Sequence, residues 1–98
     1  MARFILVLTL CLLAATGANI AIAEDLTIAA ASDLNFSFRE IVAEYEQTTG
    51  NHVRLAFGSS GNFYAQIQQG APFDLYFSAD IVYPKKLIDE GLAVPNSL

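Results

Sequence analysis

The sequence predicts an α/β fold in which strands and helices alternate as βαβαβα around a parallel sheet. Two apolar runs, residues 26–31 and 75–77, and an alternating run at 53–57 have the lengths and patterns of strands. Segments with helical spacing follow each of them, and glycines mark where several elements stop. Alternation of this kind favours a parallel sheet wound with right-handed crossovers.

The first run, Leu-Thr-Ile-Ala-Ala-Ala, suits a strand covered on both faces. After Ser32 and Asp33, the residues Phe38, Ile41, Val42 and Tyr45 recur at i, i+3, i+4 and i+7. Arg39, Glu40, Glu44 and Glu46 fill the other side, which gives an amphipathic helix with a solvated acidic face. Asp33 is the expected N-cap and Gly50 the residue after the helix end. Val53, Leu55 and Phe57 alternate with His52, Arg54 and Ala56, so the second strand has one face in the core. The turn Gly58-Ser59-Ser60-Gly61 leads into a short helix closed by Gly70. Residues 75–77 form a third buried strand, and residues 83–90 a third helix with Pro84 near its start and Gly91 after its end.

The chain has 98 residues, and its hydrophobic fraction of 54% is raised by the first two dozen. Arg3 supplies a positive start, residues 4–15 an apolar stretch, and Ala21-Ile22-Ala23 the small-x-small pattern of a cleavage site. Residues 1–23 are therefore expected to be a cleavable signal peptide, with residues 24–98 as the exported part. The apolar run is broken by Thr16, Gly17 and Asn19 before it reaches spanning length. The single cysteine, Cys11, lies inside that leader behind Leu10, so neither lipidation, disulfides nor thiolate metal sites are expected. From Glu24 onward ten acids face four bases, a net charge of −6, which disfavours nucleic acid and anionic membranes as partners. No repeat or low-complexity segment interrupts the chain. It runs through residues 92–98 without closing the sheet, and the expectation is a truncated reading frame.

In an open parallel sheet, ligands bind beyond the carboxyl ends of the strands, and Ser32, Ser59 with Ser60, and Ser78 follow those ends here. Helix N-termini and a glycine-framed turn offer backbone N–H groups to an anion, and serine adds a compact hydroxyl donor. None of Arg39, Arg54, Lys85 and Lys86 falls in these turns, so neutral donors would hold the charge. Each feature also has an ordinary structural role: Ser32 as a capping serine, the Gly-Ser-Ser-Gly run as a strand-to-helix turn. Asp80 suits a cap for the third helix, and Tyr64 and Tyr83 suit packing. A secreted serine hydrolase built on Ser60 is the rival of another class. The G-x-S-x-G elbow fails at Asn62, and His52, the only histidine, starts a strand far from the serine edge. Nucleotide-binding and H-E-x-x-H motifs are absent. The residues imply no catalysis, no cofactor and no bare metal cation.

Four segments, Ala29-Ala30-Ala31-Ser32-Asp33-Leu34, Phe57-Gly58-Ser59-Ser60-Gly61-Asn62, Gly70-Ala71-Pro72-Phe73-Asp74 and Phe77-Ser78-Ala79-Asp80, resemble the molybdate-binding proteins of ABC transporters. The resemblance spans nearly all of the exported part. It implies a two-lobed periplasmic-binding-protein-like (type II) fold, of which residues 24–98 would be the N-terminal part of lobe 1. It further implies capture of molybdate or tungstate through serine hydroxyls and backbone amides, a monomer in the periplasm, and delivery to a membrane permease. By the family pattern Ser32 and Ser60 contact the oxyanion, while molybdenum enters only as molybdate. The remaining contacts come from later in the family's sequence, so the 98-residue chain is expected to bind molybdate weakly or not at all. Asp33 is expected to face away from the ion. Sulfate, thiosulfate or phosphate capture, or a non-functional remnant, are the alternatives; an all-donor site would reject a protonated phosphate.

Overall fold

The computed structural model describes residues 24–98, so the signal-peptide expectation for residues 1–23 lies outside the described residues. Three strands form one parallel sheet: β1 (Asp25–Ala31), β2 (His52–Gly58) and β3 (Leu75–Phe77), in the order β2-β1-β3. The helices α1 (Asn35–Thr49), α2 (Ser60–Gln68) and α3 (Val82–Asp89) follow them in turn. The βαβαβα order is the one expected from the hydrophobic patterning.

β1 lies in the middle because its residues suit a position with neighbours on all sides. Ala29 and Ala30 are fully buried, and Ile28 and Ala31 nearly so. Small side chains there let helices approach the sheet closely. β1 is paired with β2 along its whole length, Asp25 with His52 through to Ala31 with Gly58. Its pairing with β3 covers only Ile28 to Ala30. Asp74 extends that shorter ladder: its N–H donates to the Thr27 carbonyl at 2.8 Å, and its Oδ2 accepts the Thr27 N–H at 2.8 Å.

The structure departs from expectation at four places. Asp33 caps no helix, because a 3-10 turn (Ser32–Leu34) intervenes and α1 begins only at Asn35, without a side-chain cap. β3 is an edge strand with Leu75 and Phe77 44% and 39% exposed, so its apolar run is not the buried strand that the pattern suggested. On α1 the expected apolar face is only partly covered. Phe38 meets the Phe77 ring edge-on at 4.7 Å, whereas Ile41 and Tyr45 remain exposed. The acidic face of α1 is also not wholly solvated: Glu46 Oε2 accepts the Val53 N–H at 3.0 Å and pairs with His52 Nδ1 at 2.8 Å, fastening the end of α1 to the start of β2.

Glycine and serine mark two of the other helix ends. Gly50 stands at φ +75°, the left-handed region where a side chain is disfavoured, and its N–H returns to the Glu46 carbonyl. Ser59 Oγ accepts the Asn62 N–H at 3.2 Å and caps α2. Asp80 stands one residue before the N-cap Ile81, and its Oδ1 accepts the Val82 N–H of the first helical residue at 2.9 Å, so it supports the start of α3 without being its N-cap.

Candidate functional site

The register of the sheet gathers the three serine positions. Ala31 pairs with Gly58, so Ser32 and Ser59 each follow directly from a paired position on adjacent strands about 4.8 Å apart. On the other side Ala30 pairs with Phe77, the residue before Ser78. Ser32, Ser60 and Ser78 therefore leave the same carboxyl edge of one sheet, with β1 between the other two strands.

The serines there have different environments. Ser32 opens the 3-10 turn and is exposed, and its carbonyl accepts the Asn35 N–H. Ser59 Oγ is occupied by capping. Ser60 is 9% exposed, the single buried polar residue among those described. Its Oγ accepts the Ala79 N–H at 2.9 Å, and its carbonyl accepts the Tyr76 hydroxyl at 2.6 Å. The Ser60 hydroxyl also lies within hydrogen-bonding reach of the Tyr76 phenol oxygen, where it opposes the rise that burial imposes on the phenol. Ser78 Oγ is turned inward on its own loop, donating to the Asp80 carbonyl at 2.6 Å and accepting the Asp80 N–H at 3.1 Å. Of the three strand ends, the first presents an exposed serine and the second a buried one held at Ala79.

At Gly61 a Cβ would lie 3.0 Å from the Tyr83 hydroxyl oxygen, so a side chain there would require the tyrosine to shift by a few tenths of an ångström. Tyr83 in turn tilts against Tyr64 at 5.4 Å, and the Tyr64 hydroxyl donates to Glu90. These tyrosines pack α2 against α3, as expected. No lysine or arginine side chain makes a hydrogen bond or ion pair with Ser32, Ser59, Ser60 or Ser78 among the described residues. His52 lies at the far end of β2, paired with Glu46, where it cannot serve Ser60 as a base. Among the described residues no group of three or more His, Cys, Asp and Glu side chains is placed to hold a metal ion.

Two groups that hold Ser60, the Tyr76 hydroxyl and the Ala79 amide, were not singled out in the sequence. A tyrosine within a short apolar strand is a weak signal, since its hydroxyl needs a partner when covered. Burial pushes the Tyr76 phenol above its ordinary 10.0. A raised phenol is protonated more readily in the folded state. Its stabilisation is therefore complete below pH ~10 and is lost as pH rises through the folded-state value. Unfolding measured between pH 9 and 12 should show a smaller alkaline loss of stability in Tyr76→Phe than in the parent (pH range of order the tyrosine value); equal losses would show that Tyr76 does not titrate differently on folding.

The family model for bacterial extracellular solute-binding proteins matches residues 26–97, a stretch that includes all three strands and the serine edge. The chain belongs to this family. Solute-binding proteins similar to it include the molybdate-binding protein of Rhodobacter capsulatus, 47% identical over 94% of this chain and 34% of the relative. The molybdate-binding protein of Azotobacter vinelandii is 39% identical over 76% of this chain and 30% of its own length. The solved structure of an Azotobacter vinelandii periplasmic molybdate-binding protein superposes with a TM-score of 0.71 at 38% identity, covering 74% of this chain and 31% of that one. The substrate-binding domain of a molybdenum ABC transporter protein from Clostridium difficile gives 0.66 at 36% identity, over 69% and 30%. The chain thus spans about a third of the length of the relatives it matches. The α/β fold with its parallel sheet is shared with these solved binding proteins.

Proposed function

We propose that this solute-binding protein contributes Ser32 and Ser60 to a site for a tetrahedral oxyanion, molybdate or tungstate, in an extracytoplasmic carrier serving an ABC-type importer. The observation that carries the proposal is the pairing of Ala31 with Gly58, which sends two donor-bearing turns off one sheet edge. A dianion at that edge would exchange water for hydroxyl and amide donors without a cationic side chain. Donors of this kind discriminate by protonation, since molybdate and sulfate near neutral pH present only acceptors, whereas hydrogenphosphate brings a proton that finds no acceptor. The names of the Rhodobacter and Azotobacter relatives support molybdate over sulfate. In this reading residues 24–98 belong to the first lobe, residues 1–23 direct export, the carrier works as a monomer, and the second wall of the cleft is supplied by sequence corresponding to the remaining two thirds of the relatives.

The test follows from that division. A chimera joining residues 24–98 to the unmatched remainder of the Rhodobacter capsulatus protein should bind molybdate and tungstate tightly by calorimetry, sulfate more weakly and phosphate least. The 98-residue chain titrated alone should show weak binding or none. Preference of the chimera for phosphate, or tight molybdate binding by the chain alone, would overturn the assignment.

A further inference from the structure

Ser60 is gripped at two points by one short stretch of chain. The Tyr76 hydroxyl donates to its carbonyl, and the Ala79 N–H, three residues further on, donates to its Oγ. Alternation along β3 sets Tyr76 on the face opposite Leu75 and Phe77, toward α2, where its ring meets Phe63 at 6.5 Å and 66°. Phe63 lies three residues after Ser60 on α2. A phenylalanine would supply the same ring contact, so the hydroxyl serves the Ser60 carbonyl and not the packing.

We propose that Tyr76 is a positioning residue for the oxyanion site, holding the first turn of α2 so that the Ser60 side chain keeps the one orientation in which its Oγ meets the Ala79 amide. The inference rests on the oxyanion reading above and deepens it. A serine hydroxyl has one hydrogen and two lone pairs. Engaging one lone pair on Ala79 fixes the side-chain rotamer and leaves the hydrogen and the second lone pair to a ligand. Tyr76 thereby contributes to affinity by fixing Ser60, without touching the ion. Its covered phenol remains protonated, and therefore a donor, across the neutral range.

The experiment uses Tyr76→Phe. In the isotope-labelled full chain, three-bond couplings should report a single Ser60 χ1 rotamer in the parent and an averaged one in the variant, with faster exchange of the Ala79 amide. The Ala29 amide in the central strand should stay protected in both, which confirms that the variant is folded. An unchanged Ser60 rotamer would overturn the proposal. In the chimera, Tyr76→Phe should weaken molybdate about three- to tenfold, the range for one neutral hydrogen bond. In a Ser60→Ala background the same substitution should cost nothing further. An equal loss in both backgrounds would assign Tyr76 a general structural role and refute positioning. If Ser60→Ala weakens molybdate and Tyr76→Phe does not, the Tyr76 inference alone falls. If Ser60→Ala leaves molybdate binding unmoved, the oxyanion reading falls and takes this inference with it.

Discussion

Replacing Phe63 by alanine is expected to destabilise the fold by about 3–5 kcal/mol, the range for removing a buried aromatic side chain. Phe63 is 5% exposed and meets Phe73 edge-on at 5.5 Å and Tyr76 at 6.5 Å. Its ring also lies 3.2 Å from where a Cβ on Gly58 would stand, so it fills the corner between the end of β2 and the start of α2. Domains of this size are stable by only about 4–11 kcal/mol in total, so the loss is a large share of the whole. Urea titration followed by circular dichroism should show the midpoint fall steeply or the folded baseline vanish. Phe63→Leu, which keeps most of the volume, should retain a cooperative transition. A midpoint unchanged in Phe63→Ala would remove this residue from the core.

The second large effect is on ligand affinity. In the chimera, Ser60→Ala should weaken molybdate by about 1.5–3 kcal/mol, the range for a hydrogen bond to a charged group. The substitution also strips the Ala79 N–H of its acceptor, so part of the loss will appear as reduced stability. Ser59→Ala is the informative contrast, because Ser59 is exposed and its Oγ caps α2 through the Asn62 N–H, whereas Ser60 is buried and held by the β3 side of the edge. It should cost about 1 kcal/mol of stability as a lost cap and leave affinity much less affected. Equal affinity losses at the two serines would show that the turn acts through its shape and not through the Ser60 hydroxyl.

The contrast between these adjacent serines marks where sequence reasoning reaches its limit. Hydrophobic patterning and the glycines set the order of strands and helices, and the carboxyl-end rule placed Ser32, Ser60 and Ser78 on one edge before any coordinates. Patterning does not say which hydroxyl of a Ser-Ser pair turns inward to cap; only the family resemblance separated Ser60 from Ser59. Nor does an amphipathic pattern say how much of an apolar face will be covered, and Ile41 and Leu75 are exposed despite sitting in apolar patterns. Asp33 has the chemistry of a cap, but a 3-10 turn depends on how β1 hands the chain to α1, and residue preferences near Ser32 did not signal it. The hold of Tyr76 and Ala79 on Ser60 joins positions 16 and 19 residues apart and depends on the path of a loop, which local pattern does not encode.

The central place of β1 has a consequence for the order of assembly. The sheet contains no hairpin: β1 meets β2 across 27 sequence positions at Asp25 and His52, and β3 across 47 at Ile28 and Leu75. Closing the longer span costs about 0.5 kcal/mol more in chain entropy, and the shorter β3 ladder returns less for it. The β1–α1–β2 unit should therefore form as a nucleus onto which β3 adds late, and a folding chain would remain without its serine-bearing edge complete until that final addition.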